Sequence, residues 1–195
     1  MSDDERFRLI LLAGFLILIP LGAWNRLKAH TGEKLDRRQE GWFILITLRL
    51  VGVVGILSLI AYLINPGWMA WASLPLPTWL RWVGVGLGVI TGLLLVWTLR
   101  TLGTNITDTV VTRQQHTLVT TGPYRWVRHP FYSTAGLSIL ANTFTAANWF
   151  FLAMGGAMFV LLAIRCRKEE ENLIARFGDD YRKMIERTGR FLPWW

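Results

Sequence analysis

The sequence predicts an all-α integral membrane protein of about five transmembrane helices, with the N-terminus outside, the C-terminus in the cytoplasm, and an ordered cytoplasmic loop and tail. Three observations predict it. Of 195 residues, 52% are hydrophobic and the mean hydropathy is +0.35, more apolar surface than a soluble domain of this length buries. Apolar runs near the roughly 20 residues that cross a bilayer core about 30 Å thick recur along the chain. The net charge of +8 is concentrated in alternate connections between those runs.

The spans are read as Phe7–Trp24, Trp42–Ile64, Trp79–Leu99, Tyr132–Ala147 and Trp149–Ile164. Acidic Asp3, Asp4 and Glu5 precede the first run and no small-residue cleavage site follows it, so it is expected to stay as a helix rather than leave as a signal peptide. Pro20 is expected to kink it. In the second, Arg49 costs roughly 2.5–3.5 kcal/mol at mid-bilayer and is expected to snorkel to the cytoplasmic side. The third carries Gly84, Gly88 and Gly92 at four-residue spacing, a bare groove for a neighbouring helix. The fourth and fifth are short and nearly contiguous, which predicts either a tight hairpin or a pair crossing a thinned region. Tryptophans gather at span ends (Trp24, Trp42, Trp79, Trp149 among them), where indoles favour the headgroup layer.

Orientation follows from charge. Segment 25–41 carries Arg26, Lys28, Lys34, Arg37 and Arg38; segment 100–131 carries Arg100, Arg113, Arg125 and Arg128; the tail from 165 adds eight more, while 65–78 and 143–148 hold none. Under the positive-inside rule this alternation requires an odd number of spans with the tail in the cytoplasm. Nucleic acid is not expected as a partner, because no basic recognition helix or zinc-finger pattern accompanies the charge. The single cysteine, Cys166, excludes an intrachain disulfide and makes no thiolate metal site alone; no metal is expected.

Two polar concentrations remain. The connection after the third span contains "TGPYRWVRHPFY" (121–132), and "RCRKEEENLIARFGDDY" (165–181) follows the fifth. Either alone reads blandly, the first as a juxtamembrane anchor with Pro130 opening a helix, the second as a helix surface with an Arg165/Glu169 pair. Both fall on the same membrane face. Leu173, Phe177, Tyr181 and Met184 or Ile185 then form an apolar stripe, suited to a helix on the membrane surface or folded back on the bundle.

"HTLVTTGPYRWVRHPFY" (116–132), an Arg and Glu-Glu cluster one hairpin later, and "FGDDYRKMIERTGRFLP" together resemble the isoprenylcysteine carboxyl methyltransferase family. The ungapped pattern is Gly122, Tyr124, Arg128, His129, Pro130 and Tyr132, and the partner pair is Glu169 and Glu170. The likeness spans roughly 100–195, dividing the chain into three N-terminal spans (1–99) and a catalytic region (100–195). Eukaryotic members carry extra N-terminal helices, so this chain is similar to a short prokaryotic relative.

The resemblance implies methyl transfer from S-adenosylmethionine, yielding S-adenosylhomocysteine, to the C-terminal carboxylate of a prenylated cysteine. By resemblance, the loop and tail form the cofactor pocket. His116, Thr117, Leu118 and Val119 would contact the adenosyl portion; Tyr124, His129, Pro130 and Tyr132 would continue the pocket; Glu169 would face the cofactor, with Glu170 open as the alternative. Arg165 would hold the substrate carboxylate, and Arg128 would anchor the loop. The partners implied are the bilayer and a lipophilic prenylcysteine-like substrate, entering sideways by the short fourth and fifth spans.

The chemistry is compatible with the residues. A carboxylate is already anionic at neutral pH, so in-line attack on a sulfonium methyl needs no general base. Rival readings are a phospholipid or other lipid amine N-methyltransferase, which would need Glu169 or Glu170 as a base; a sterol reductase, for which the chain is short; and a non-catalytic membrane scaffold.

Overall fold

A computed structural model of the protein describes residues 1–28, 42–105 and 117–193. Among them run six α-helices: α1 (Asp3–Lys28), α2 (Trp42–Ile64), α3 (Thr78–Leu102), α4 (Pro130–Ala146), α5 (Trp149–Phe177) and α6 (Asp179–Arg187). α1 begins with a reciprocal cap, the Glu5 amide donating to Ser2 Oγ at 3.2 Å and the Ser2 nitrogen to the Glu5 carboxylate at 3.0 Å. Acidic Asp3, Asp4 and Glu5 in that first turn suit the positive end of the helix dipole. The helix continues through Pro20 to Lys28.

Four of these helices, α1, α2, α3 and α5, are long and apolar enough to cross a membrane. The fourth predicted span is the 17-residue α4, about 25 Å long at 1.5 Å per residue and so a little short of a bilayer core. The fifth span and the helical surface read after it are one element: α5 runs past Ile164 to Phe177 over 29 residues. Nothing between these positions breaks a helix, and the stop comes where Gly178 takes φ +56°. At about 43 Å, α5 outruns the bilayer core, so its polar C-terminal turns project from it.

The chain closes into a bundle with two polar ends. At one end Thr78 donates to Asp3 at 2.8 Å, Arg81 to Asp4 at 2.7 Å and to the Thr145 carbonyl at 3.1 Å, and Arg8 to the last carbonyls of α2. Asn148 finishes this end: it caps α5 through the Phe150 amide and donates to the Met69 carbonyl at 3.1 Å. Arg81 is only 5% exposed, with its guanidinium 4.2 Å from the Phe7 ring centre. The other end gathers the C-terminus of α3, residues 117–129, the C-terminal turns of α5, and α6. The described part of the 100–131 connection that follows residue 116 therefore lies at the same end of the bundle as the tail, as expected from the sequence.

α3 and α4 approach closely where the glycine groove meets α4. A Cβ on Gly84 would lie 2.6 Å from the Thr145 amide nitrogen and 2.8 Å from Phe144 Cβ, while Gly88 faces Ala141. Dispersion at such short backbone separation holds helices together where lipid supplies no hydrophobic drive. Gly84→Val is expected to cost about 1–3 kcal/mol by overpacking, read as a lower thermal midpoint in detergent. An unchanged midpoint would show that this crossing is loose.

Candidate active site

Local backbone chemistry sets up the second polar end. Gly122 sits at φ +59°, and a Cβ there would meet Thr101 Oγ1 at 2.5 Å, so only glycine lets the loop turn against the end of α3. A short 3-10 turn, Gly122–Arg125, follows. Pro130 then opens α4, where its missing N–H leaves no hydrogen bond unmade. The turn leaves His129 as the capping residue, its carbonyl accepting from the Tyr132 and Ser133 amides at 3.0 and 3.1 Å.

Arg128 and His129 converge on one buried carboxylate. Arg128 Nε donates to Glu170 Oε1 at 3.0 Å, and its Nη1 donates to the Ile185 carbonyl at 3.2 Å and to that of Thr188. His129 Nε2 lies 3.3 Å from the same Glu170 oxygen. Arg190 donates to the other oxygen, Oε2, and this bond raises the Arg190 pKa above its ordinary value. Glu170 is 6% exposed and His129 5%. A carboxylate so buried is tolerable only because two guanidiniums and an imidazole meet it. One residue thereby ties together the loop before α4, the end of α5 and the chain after α6.

Glu169 has a different environment. Its Oε2 accepts from the Tyr132 hydroxyl at 2.8 Å, and its Oε1 is 3.9 Å from His129 Nδ1. Its side chain keeps 30% exposure. His129 and Tyr132 lie nearly parallel, centroids 5.5 Å apart at 16°. Burial, and secondarily the Glu169 charge, push the Tyr124 phenol well above its usual pKa, so it stays a neutral hydroxyl.

The structure thus brings Arg128, His129, Pro130, Tyr132, Glu169 and Glu170 together, with Tyr124 near enough to feel Glu169. It holds Thr117 to the end of α3 instead: the Thr117 amide donates to Asn105 Oδ1 at 3.1 Å, and Asn105 Nδ2 donates back to Thr117 Oγ1 at 3.0 Å. Leu118 and Val119 follow in irregular, partly buried chain. His116 lies outside the described residues. Arg165, partly buried, sits on α5 one turn before Glu169.

Three participants were not singled out by sequence reasoning. Arg190, Ser133 and Phe191 join the site through the chain's last described residues: the Ser133 hydroxyl donates to the Phe191 carbonyl at 2.5 Å, and Phe191 packs on His129 and Tyr132 with centroids 6.2 Å apart in each case. The available signal was weak, an arginine and aromatic after a glycine in "TGRFLP". His129, Cys166 and Glu170 place possible ligand atoms within 4.8 Å of one another. A cation there would have to displace two guanidiniums from Glu170, so the donor set fits an ion-pair hub better than a metal.

Comparison with known proteins converges on one family. The model of the isoprenylcysteine carboxyl methyltransferase family matches residues 84–175. The human protein-S-isoprenylcysteine O-methyltransferase is 32% identical over 133 residues, covering 63% of this chain and 44% of that protein. A methanethiol S-methyltransferase of Mycobacterium tuberculosis is 34% identical over 71 residues, covering 36% of this chain and 28% of the relative. The chain therefore spans less than half the length of these curated relatives. A solved structure of a eukaryotic intramembrane Ras methyltransferase of the same name superposes with a TM-score of 0.55 at 23% identity, covering 75% of this chain and 52% of that one, a likeness of fold. Residues 84–175 thus carry the pattern of the isoprenylcysteine carboxyl methyltransferase family, which is what this part of the chain is similar to.

Proposed function

We propose that the protein is an S-adenosylmethionine-dependent carboxyl O-methyltransferase. It acts at the cytoplasmic membrane border on the C-terminal carboxylate of a prenylated cysteine or a similar lipophilic acid. The observation that carries this reading is the division of labour between adjacent carboxylates. Glu170 is matched by Arg128, His129 and Arg190, whereas Glu169 is held by the neutral Tyr132 hydroxyl and remains partly open. A carboxylate of the second kind suits a cationic ligand, and one of the first kind does not.

S-adenosylmethionine, when bound, supplies an electrophilic methyl group on a positively charged sulfur. Glu169 favours that charge, His129 and Tyr132 provide parallel flat walls, and Tyr124 adds a neutral hydroxyl. The Leu118 and Val119 backbone, fixed through Asn105 and Thr117, offers amides and carbonyls to a purine edge. His116 would extend that strip. Arg165 presents the planar fork that matches a carboxylate. Its task is to orient an acceptor that is already anionic, and such positioning supplies roughly 7–11 kcal/mol of rate enhancement. A polar donor from water and an apolar acceptor from lipid meet where α4 begins and α5 leaves the bilayer.

A second reading is thiol S-methylation, supported by the methanethiol methyltransferase relative. It requires no carboxylate fork. Transfer of labelled methyl to farnesylcysteine analogues, ethanolamine lipids and small thiols separates the readings. The carboxyl reading expects a base-labile product releasing volatile label, from the prenylcysteine alone; stable label on the thiol or the amine would overturn it. Glu169→Gln is expected to weaken donor binding by about 10–100-fold, the worth of a hydrogen bond to a charged group. Calorimetry with S-adenosylhomocysteine and S-adenosylmethionine checks this, since the loss should be larger for the cationic ligand.

A further inference from the structure

The chain after α6 has no regular secondary structure, yet its first residues are tied to the loop before α4 and to α5 by a run of hydrogen bonds. Gly189 donates to the Trp126 carbonyl at 3.1 Å and accepts from the Arg128 amide at 2.9 Å; the Arg190 carbonyl accepts from the His129 amide at 3.1 Å. Ser133 holds the Phe191 carbonyl, and the Arg190 guanidinium grips Glu170. Three consecutive residues of ordinary coil would not be pinned this way without a purpose for what they carry. What they carry is the Phe191 ring. It touches His129 and Tyr132 on the polar side and packs edge-on against Phe159 of α5, centroids 5.5 Å apart, on the apolar side. Phe159 in turn closes on Gly136 of α4, so Phe191 stands where the polar site meets the seam between α4 and α5.

We propose that residues 188–193 form a strap whose Phe191 ring is a specificity-determining wall for the apolar part of the acceptor, and that Arg190 is the positioning residue that holds it there through Glu170. The proposal rests on the methyltransferase reading and deepens it. Chemically, the ring bounds the apolar chain adjoining the reacting carboxylate; shortening the ring lengthens the space available. Arg190 is 41% exposed in that ion pair, so its loss is screened and should leave the bundle folded.

The test uses the full-length chain in detergent with S-farnesyl and S-geranylgeranyl cysteine analogues. Phe191→Ala and Phe191→Leu are expected to raise KM for the farnesyl analogue about tenfold, as one lost aromatic contact of 1.4 kcal/mol would. They should shift the ratio of kcat/KM values toward the longer chain. Arg190→Ala should reproduce that shift, and Arg190→Lys should restore part of it. By hydrogen exchange, Arg190→Ala should also speed the amides of Arg128, His129 and Gly189 about tenfold, a readout independent of turnover. An unchanged chain-length preference in variants that bind S-adenosylhomocysteine normally overturns the wall, and unchanged exchange overturns the positioning role. Wild-type protein that neither binds nor methylates either analogue overturns the acceptor reading itself, a different outcome from the first two.

Discussion

Glu170→Ala is expected to be the most damaging single substitution in the polar end of the bundle, lowering stability by about 3–5 kcal/mol and abolishing saturable S-adenosylmethionine binding. Arg128 and Glu170 side chains are 9% and 8% exposed, so removing the carboxylate strands a buried guanidinium and an imidazole together rather than trimming a surface pair. Arg190, more open to water, adds little to that sum. Glu170→Gln keeps the shape and removes the charge, and it should fall between wild type and alanine in thermal midpoint. If Glu170→Ala retained the wild-type midpoint and donor affinity, Glu170 would not be the hub that unites the loop, α5 and the strap.

The second large effect separates the roles of Arg165 and His129. Arg165→Ala should lower kcat by about 100-fold or more while leaving donor affinity within a few-fold, because losing the fork lets the acceptor carboxylate wander from the line of attack, and misplacement of about 1 Å costs that much. His129→Ala should do the reverse, weakening donor binding through the lost wall against Tyr132 and the lost contact with Glu170. Calorimetric donor affinity and single-turnover methyl transfer resolve the two. Wild-type turnover in Arg165→Ala would remove the carboxylate clamp from the mechanism.

The sequence carried these contacts unevenly. Local chemistry was legible: Pro130 after His129 marks a helix start, Gly84 and Gly88 mark the close crossing with α4 while Gly92 faces Leu18 of α1, and alternating positive charge placed the 100–131 connection and the tail on one side. Adjacent motifs also pointed to Arg128, His129, Tyr132 and the Glu pair. What periodicity could not distinguish was which glutamate is committed, because Glu169 and Glu170 differ by one residue and their environments are made by Tyr132, Arg128 and Arg190, all distant in sequence. The strap was hidden for the same reason. Hydropathy falls at Ile164, where the apolar span was read to end, while helix propensity does not, so the span and the helical surface after it form one continuous helix; charged residues end an apolar run without ending a helix. Arg81 with Asp4 joins positions 77 apart in sequence, and neither residue is unusual alone.

The central claim is that residues 117–132 and the C-terminal part of α5 line one donor site on one face of the membrane. Photocrosslinking of the full-length protein with an aryl-azide analogue of S-adenosylmethionine, followed by peptide mapping, tests it most directly. The account predicts saturable label on peptides from both stretches, competed away by S-adenosylhomocysteine. Label confined to one stretch, or placed at the opposite polar end near Arg81 and Asn148, would contradict it.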